Sequence, residues 1–328
     1  MSRPTRSAAE EAEAIRGGDR KAMAKAITLL ESKRPEKAER GRAILEELVP
    51  HSGRSMRLGV TGPPGVGKST FIESLGIYLL ERGHQVAVLA IDPSSPVTGG
   101  SILGDKTRME RLAQEAGAFI RPSPSGGSLG GVAERTREAM LVCEAAGYDV
   151  VIVETVGIGQ SEVSVRSMVD FFLVLLQPGA GDELQGIKKG VLELADSLVV
   201  NKADGEQRAA AERSAGEHAR ALGLLHARSG SWTPRVLMVS SLENAGIDGV
   251  WEAVLEHTAA LESSGERQAR RREQARQWMW SLVEEGLRDA FRAHPDVSSQ
   301  IERLERAVQE LQISPAAAAR TLLEAFRS

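Results

Sequence analysis

The chain has 328 residues, of which 41% are hydrophobic, and a formal net charge of −4 at pH 7. This length allows one large domain with additions, or two domains. The mild acidity argues against a general nucleic-acid binder, and no apolar run is long enough to cross a bilayer. The N-terminus lacks an apolar signal core, and its early acidic residues disfavour a transit peptide. The single Cys143 fits a reducing compartment, so we expect a cytoplasmic protein.

The pattern in chain order predicts helical extensions at both ends of an α/β domain. Residues 1–50 are charged, with apolar positions at helical spacing, and residues 262–328 are helical and charged again. Between them, in residues 51–261, strand-like apolar runs alternate with amphipathic helices. The runs are centred on Val60, Val88, Phe119, Ile152, Leu173, Val199 and Leu237. This alternation predicts a mostly parallel central sheet with helices on both faces.

The first strand-like run leads into a phosphate-binding loop. The Gly-x-x-x-x-Gly-Lys-Ser pattern and the next residue comprise Gly62, Pro63, Pro64, Gly65, Val66, Gly67, Lys68, Ser69 and Thr70. Glycines allow the backbone N–H groups to surround a diphosphate. Lys68 can reach the β- and γ-phosphates, and the Ser69 hydroxyl can bind Mg²⁺. A glycine-rich turn without a ligand is the alternative, and the flanking strand and helix patterns make it the weaker one.

A second motif indicates which nucleotide binds. The buried strand pattern at 197–200 ends in Asn201, Lys202, Ala203 and Asp204. A carboxylate at Asp204 can accept hydrogen bonds from guanine N1–H and its 2-amino group, whereas adenine offers neither donor there. The two motifs in this order, each after a strand, favour GTP over ATP. Three residues after the strand at Leu237 fit a further base-contacting loop: Ser240, Ser241 and Leu242.

Four further blocks carry a family resemblance: Asp92 to Ser95, Thr98 to Met109, Glu154 to Glu162 and Gly179 to Gly190. With the two nucleotide motifs, they closely resemble the MeaB-type GTPases, the G-protein chaperones of adenosylcobalamin-dependent methylmalonyl-CoA mutase. The resemblance runs through nearly the whole chain. It implies a P-loop nucleoside triphosphatase of the SIMIBI-like class with N- and C-terminal helical extensions, the latter a dimerisation arm.

The resemblance also implies site residues. Mg²⁺ would lie near Ser69, with Asp92, Asp105 and Glu154 around the metal and its waters, since Mg²⁺ requires hard oxygen ligands. Asp92 follows a predicted strand, which agrees with a position near the metal, but it could instead be a turn residue before Pro93. Asp105 could instead cap the helix that follows it. Gly157 would sense the γ-phosphate through its N–H group.

The residues after these motifs bear on rate and signalling. Ile158 stands where fast regulatory GTPases often present a water-orienting Gln, so we expect slow intrinsic hydrolysis that a partner or dimerisation completes. Residues 177–188, which include Gln185 and Lys188, resemble the additional switch loop of the family. Lys106, Arg108 and Lys188 are candidates for supplying positive charge, and each can equally be an ordinary surface cation.

The resemblance implies a GTPase that binds methylmalonyl-CoA mutase, or a sister mutase, and gates adenosylcobalamin loading, protection or reactivation. No cobalamin motif is evident, so we assign that cofactor to the partner. A nickel or zinc metallochaperone is an alternative, against which the six scattered His and one Cys count. A small-molecule kinase is another, against which Asp204 counts. A third alternative is a non-catalytic nucleotide-binding scaffold, against which the intact Lys68, Ser69, Asp92 and Glu154 count.

Overall fold

A seven-stranded, all-parallel sheet forms the centre of the chain. The computed structural model describes residues 6–91, 109–123, 129–155, 161–179, 189–225 and 230–327. The spatial order is β3-β2-β4-β1-β5-β6-β7. The strands are β1 (Met56–Thr61), β2 (Val86–Ile91), β3 (Ala118–Ser123), β4 (Val150–Thr155), β5 (Phe171–Leu176), β6 (Ser197–Val200) and β7 (Arg235–Met238). The predicted parallel sheet is confirmed, and every predicted strand centre lies in one of these strands.

Helices follow most of the strands and also make up both ends of the chain. They are α1 (Ala8–Arg16), α2 (Arg20–Leu30), α3 (Pro35–Leu48), α4 (Lys68–Leu80), α5 (Glu110–Gln114), α6 (Leu129–Ala145), α7 (Ser161–Arg166), α8 (Lys189–Leu194), α9 (Arg208–Leu225), α10 (Ile247–Ser263), α11 (Glu266–Ala293), α12 (Pro295–Gln309) and α13 (Pro315–Arg327). Single 3₁₀ turns lie at Val49–His51 and Gly205–Gln207. None of the helices in the described ranges is long and apolar enough to cross a membrane.

Apolar residues on both faces of the sheet build two core layers. Because side chains alternate between the faces of a strand, near-continuous apolar strands supply both layers at once. The layer that includes the N-terminal helices and α6 contains Ile15, Ile27, Ile44, Val142, Leu89, Val151, Val153 and Phe172. The layer that includes α4 and α10 contains Phe71, Leu75, Val250, Leu58, Val60, Ile152 and Leu173. The sheet therefore holds the ends of its strands in fixed positions.

The chain divides into two compact units, Met1–Arg272 and Glu273–Ser328. In the second unit, α12 and α13 bury Val297, Leu304 and Ala318. The rings of Phe291 and Phe326 meet edge-on, with centroids 5.3 Å apart.

Ion pairs join buried carboxylates to partly buried arginines at the edge of the sheet where the strands begin. Asp170, immediately before β5, accepts from the Arg57 backbone N–H at 3.0 Å and from Arg271 Nε at 2.8 Å. The Arg57 side chain in turn donates from Nε to Glu144 at 2.7 Å. Arg267, at the start of α11, donates to the Ser55 carbonyl at 3.1 Å. We call Arg57, Glu144, Asp170 and Arg271 the amino-edge cluster.

The two carboxylates of this cluster are held in the charged form. Burial raises the pKa of Asp170, but the hydrogen bonds and charge of Arg271 outweigh this effect and leave the pKa below its ordinary value. Burial likewise acts on Glu144, and the Arg57 guanidinium reverses it, so the pKa of Glu144 is also lowered. Each carboxylate is therefore ionised at neutral pH, with a guanidinium beside it.

Candidate nucleotide-binding site

The loop between β1 and α4 has the backbone that a phosphate-binding loop requires. Gly62 has φ 153° and Gly67 has φ 94°, backbone angles that residues other than glycine rarely adopt. A Cβ on Gly62 would lie 2.6 Å from the Leu175 carbonyl oxygen, and one on Gly67 would lie 2.7 Å from Asn201 Nδ2. The glycines of the motif thus allow the loop to pass close to β5 and to the second motif.

Lys68, Ser69 and Glu154 lie together at this loop. Lys68 Nζ donates to the carbonyls of Gly62 at 2.7 Å and Pro63 at 3.0 Å. Ser69 Oγ donates to Glu154 Oε1 at 3.1 Å. Glu154 is near the end of β4 and only 5% exposed. The helix α4 begins at Lys68, so its N-terminal N–H groups and the positive end of its dipole face the loop. This arrangement can bind a polyphosphate.

The predicted metal ligands are only partly described. The hydroxyl of Ser69 and the carboxylate of Glu154 are hard oxygen donors of the type that Mg²⁺ prefers, and they are in contact. The other predicted ligands and switch residues lie outside the described residues: Asp92, Asp105, Gly157, Gln185 and Lys188. Among the residues that the structure describes, no three His, Cys, Asp or Glu side chains form a metal-binding group.

The second motif packs directly against the first. Asn201, which is 1% exposed, follows β6 and donates from Nδ2 to the Val66 carbonyl at 2.9 Å. Lys202 has φ 61° and donates from Nζ to the Gly65 carbonyl at 2.7 Å. The two motifs are 135 residues apart in sequence at the Asn201–Val66 contact. The structure therefore joins them at the carboxyl edge of the sheet, where ligands bind in open parallel sheets.

The predicted base-contacting loop, which contains Ser240 and Ser241, orients side chains of the Asn-Lys-x-Asp motif. Ser240 Oγ donates to Asp204 Oδ2 at 2.5 Å and accepts from the Glu243 N–H at 3.1 Å. Ser241 donates to Asn201 Oδ1 from its N–H at 3.2 Å and from its hydroxyl at 2.7 Å. Leu242 is 81% exposed. Two neighbouring serines thus fix the orientation of two side chains of the Asn-Lys-x-Asp motif.

Two contacts of this edge had no signal in the sequence. Ser74, on α4, donates to the Ser241 carbonyl at 2.7 Å. Thr155 Oγ1 donates to Thr61 Oγ1 at 2.7 Å, which joins the ends of β4 and β1. Both contacts link residues that are distant in sequence, and neither Ser74 nor Thr61 belongs to the Gly-x-x-x-x-Gly-Lys-Ser or Asn-Lys-x-Asp pattern. Only the tertiary fold brings these residues together.

Comparison with known families gives the same classification as the geometry. Residues 23–296 match the profile of the family described as "Methylmalonyl Co-A mutase-associated GTPase MeaB". A Caulobacter vibrioides protein whose name describes it as a GTPase is 57% identical over 309 residues, which cover 94% of each chain. The mouse protein "Methylmalonic aciduria type A homolog, mitochondrial" is 45% identical, with 95% of this chain and 77% of the mouse chain covered.

A solved structure extends the similarity to three dimensions. The crystal structure of a protein titled "LAO/AO transport system kinase" has a TM-score of 0.78 and 40% sequence identity, with 98% of both chains covered. The fold, the joined motifs and these similarities agree, and the resemblance seen in the sequence is confirmed. The chain belongs to the MeaB family of P-loop GTPases.

Proposed function

We propose that this GTPase is a metabolic chaperone of methylmalonyl-CoA mutase or a related adenosylcobalamin-dependent acyl-CoA mutase. In this role, GTP binding and hydrolysis gate the loading of adenosylcobalamin and the protection or reactivation of the mutase. The observation that carries the proposal is the family match over residues 23–296, whose description names the mutase. The contact between the phosphate and guanine motifs supports the proposal, because a nucleotide bound and hydrolysed there could act as the switch that such gating requires.

The predicted site residues have distinct parts in the proposed cycle. Lys68 binds the β- and γ-phosphates, and Asp204 binds guanine N1–H and its 2-amino group, with Asn201 and Lys202 supporting the loop.

Ser69 and Glu154, with Asp92 and Asp105, would hold Mg²⁺, which neutralises charge on the phosphates when bound. Gly157, Gln185 and Lys188 would report nucleotide state to the partner. Intrinsic hydrolysis is slow in this account because Ile158 cannot orient water.

The site and its signalling segment meet at β5. This strand lies beside β1 in the sheet, and it ends at Leu176, directly before residues 177–188. Gln177 Nε2 lies 3.8 Å from the place of a Cβ on Gly65, so the segment starts against the phosphate-binding loop. A change in that loop on hydrolysis can therefore reach Gln177, the first residue of this segment, through direct contact.

The second unit offers a surface for a second copy of the chain. On α11, Met279, Trp280, Val283 and Leu287 are exposed, with Trp280 at 52%. Exposed apolar residues in such a group are typical of an interaction site, and we propose that α11 belongs to a homodimerisation arm.

We place the protein in the cytoplasm, assign adenosylcobalamin to the mutase, and propose no nucleic-acid or membrane partner.

GTP turnover with a mutase present tests the proposed function. The purified chain is assayed with GTP and ATP, with and without methylmalonyl-CoA mutase. We expect a slow, GTP-dependent rate that rises severalfold with mutase and is absent in Lys68→Ala. An unchanged rate with mutase would contradict the chaperone proposal, and a preference for ATP would contradict the assignment of Asp204.

Sedimentation equilibrium tests the dimer. The unaltered chain should sediment as a dimer, and Trp280→Glu should sediment as a monomer with unchanged helical circular dichroism, because a charge in an apolar interface is costly. A monomeric unaltered chain at micromolar concentration would contradict the dimer.

A further inference from the structure

Ser74 makes an unusual contact for a serine inside a helix. It lies within α4 and is 8% exposed. A serine in a helix interior commonly points to solvent or donates to the carbonyl one turn back in its own helix. Ser74 Oγ instead donates to the carbonyl of Ser241, 167 residues away, at 2.7 Å. The hydroxyl therefore joins the phosphate helix to the loop that follows β7.

This contact closes a ring of buried hydrogen bonds. From Ser241 the ring continues through its N–H and hydroxyl to Asn201 Oδ1, and from Asn201 Nδ2 to the Val66 carbonyl. Val66 directly precedes Gly67 and α4, which carries Ser74. The ring thus begins and ends on the loop and helix that bind phosphate. The other members of the ring, Asn201 and Ser241, are residues that we assign to binding of the base.

The ring is also linked to Asp204 through Ser240, the neighbour of Ser241 in the sequence. Ser240 fixes the Asp204 carboxylate through a hydrogen bond of 2.5 Å, and its backbone pairs with Ala245 in an antiparallel bridge. Because Ser240 and Ser241 are consecutive, a shift of the Ser241 carbonyl also moves the Ser240 hydroxyl. Asp204 would then lose its fixed orientation.

We propose that Ser74 is a positioning residue that holds the base loop at a set distance from the phosphate helix and thereby sets the preference for guanine. The proposal rests on the assignment of Asp204 and Ser240 to Leu242 to the base. Removing the Ser74 hydroxyl leaves the buried Ser241 carbonyl without this donor, which disfavours the observed loop position.

The expected effect is specific to the base. Inosine nucleotides lack the 2-amino group, so the preference for GDP over IDP measures how well Asp204 is oriented. In the part of the chain that the structure describes, the Ser74 hydroxyl donates to the base loop and not to Lys68, Ser69 or Glu154. Loss of its hydroxyl should therefore weaken GDP and GTP binding equally and reduce the preference for GDP over IDP.

Ser197 provides a matched control. It is fully buried at the start of β6, and its hydroxyl donates to the Arg235 carbonyl at 2.9 Å. This is the same type of contact between a buried serine and a carbonyl of another element. It lies at the opposite edge of the sheet from the base loop. Ser197→Ala reports the general effect of losing such a bond.

Equilibrium binding of GDP, GTP and IDP to the full chain tests the proposal, below the unfolding transition of every variant. We expect Ser74→Ala to weaken GDP and GTP about tenfold each and to reduce the GDP preference over IDP about threefold. Ser197→Ala should leave all three affinities within about twofold.

The outcomes separate the proposal from the base assignment. An unaltered chain without a preference for GDP over IDP would overturn the assignment of Asp204. A preference that is present in the unaltered chain and unchanged in Ser74→Ala would overturn the role of Ser74 alone. A preference that falls equally in Ser74→Ala and Ser197→Ala would also overturn it, because the effect would then be general.

Discussion

At the carboxyl edge of the sheet, Lys68 and Lys202 donate to neutral backbone carbonyls, whereas at the amino edge Arg57 and Arg271 donate to buried carboxylates. The carbonyl contacts belong to a glycine-containing loop and can be exchanged for phosphate oxygens. The amino-edge contacts are between full charges that the fold itself supplies. We therefore propose that the basic side chains at the carboxyl edge serve nucleotide binding, whereas those at the amino edge stabilise the fold.

This difference follows from the energetics of burial. Removing one partner of a buried ion pair leaves an uncompensated charge, which costs about 3–5 kcal/mol. A lysine beside the phosphate-binding loop contributes little to folding, but its attraction to a bound phosphate is strong because the occupied site excludes water. Substitutions at the two edges should thus have separable effects on binding and on stability.

The largest effect is expected at the carboxyl edge. Lys68→Ala should lower GTP turnover by at least about 100-fold, because the phosphates lose their ammonium contact, with the denaturation midpoint unchanged. Steady-state phosphate release and urea unfolding measure the two quantities. Lys202→Ala removes a similar carbonyl contact from an exposed lysine and should reduce turnover only a few-fold. Equal losses of GTP turnover in the two variants would contradict a direct role in phosphate binding for Lys68 alone.

At the amino edge, Asp170→Ala should lower the free energy of unfolding by about 3 kcal/mol, since the largely buried Arg271 guanidinium loses its carboxylate partner. Urea denaturation followed by circular dichroism measures the change. GDP affinity should stay within about twofold at temperatures where the variant is folded. The control is Glu262→Ala, which removes an exposed partner of Arg267 and should cost less than about 1 kcal/mol.

Gly67→Ala tests the contact between the two motifs. The new Cβ would meet Asn201 Nδ2 at 2.7 Å, in a backbone conformation with φ 94°. We expect nucleotide affinity to fall about 10-fold or more and the free energy of unfolding to fall by about 1–2 kcal/mol. Gly83→Ala has a similar φ of +85° and nothing within 4 Å, so it should show the strain without the loss of affinity. A nucleotide affinity that is unchanged in Gly67→Ala would contradict the account.

The smallest effect is a pH dependence outside both edges. Burial, and then the Glu134 carboxylate, raise the pKa of Glu138 on α6 from 4.5 to about 7. The folded state therefore holds this proton where the unfolded state has released it. This contribution to stability is fully present below about pH 4.5 and is lost as the pH rises through about 7.

Glu138→Gln should remove this dependence, which we place at about 1–2 kcal/mol for a partly exposed group. Urea unfolding at about pH 5 and about pH 7.5 measures it. The exposed Glu47→Gln on α3 serves as the control and should keep the slope of the unaltered chain. A slope that persists in Glu138→Gln would assign the dependence to another group.

The two edges also differ in how far the sequence predicts them. The alternation of strands and helices was sufficient for the sheet, and local motifs indicated Lys68 and Asn201, because phosphate and guanine binding need fixed residue types at short spacing. The amino-edge cluster joins Asp170 to Arg271, 101 residues apart, with no local pattern. Ser74 is similar, since only the approach of α4 to the loop after β7 gives its hydroxyl a partner.

Exchange of the base specificity tests the central claim, that the carboxyl edge is a guanine nucleotide site, most directly. The measurement is turnover of GTP and XTP by the unaltered chain and by Asp204→Asn. An amide at this position can donate to the O2 of xanthine, where guanine carries its 2-amino group. We predict that Asp204→Asn loses about 100-fold or more in GTP turnover and gains turnover of XTP. A variant that still prefers GTP over XTP would contradict the assignment of Asp204 and with it the guanine site.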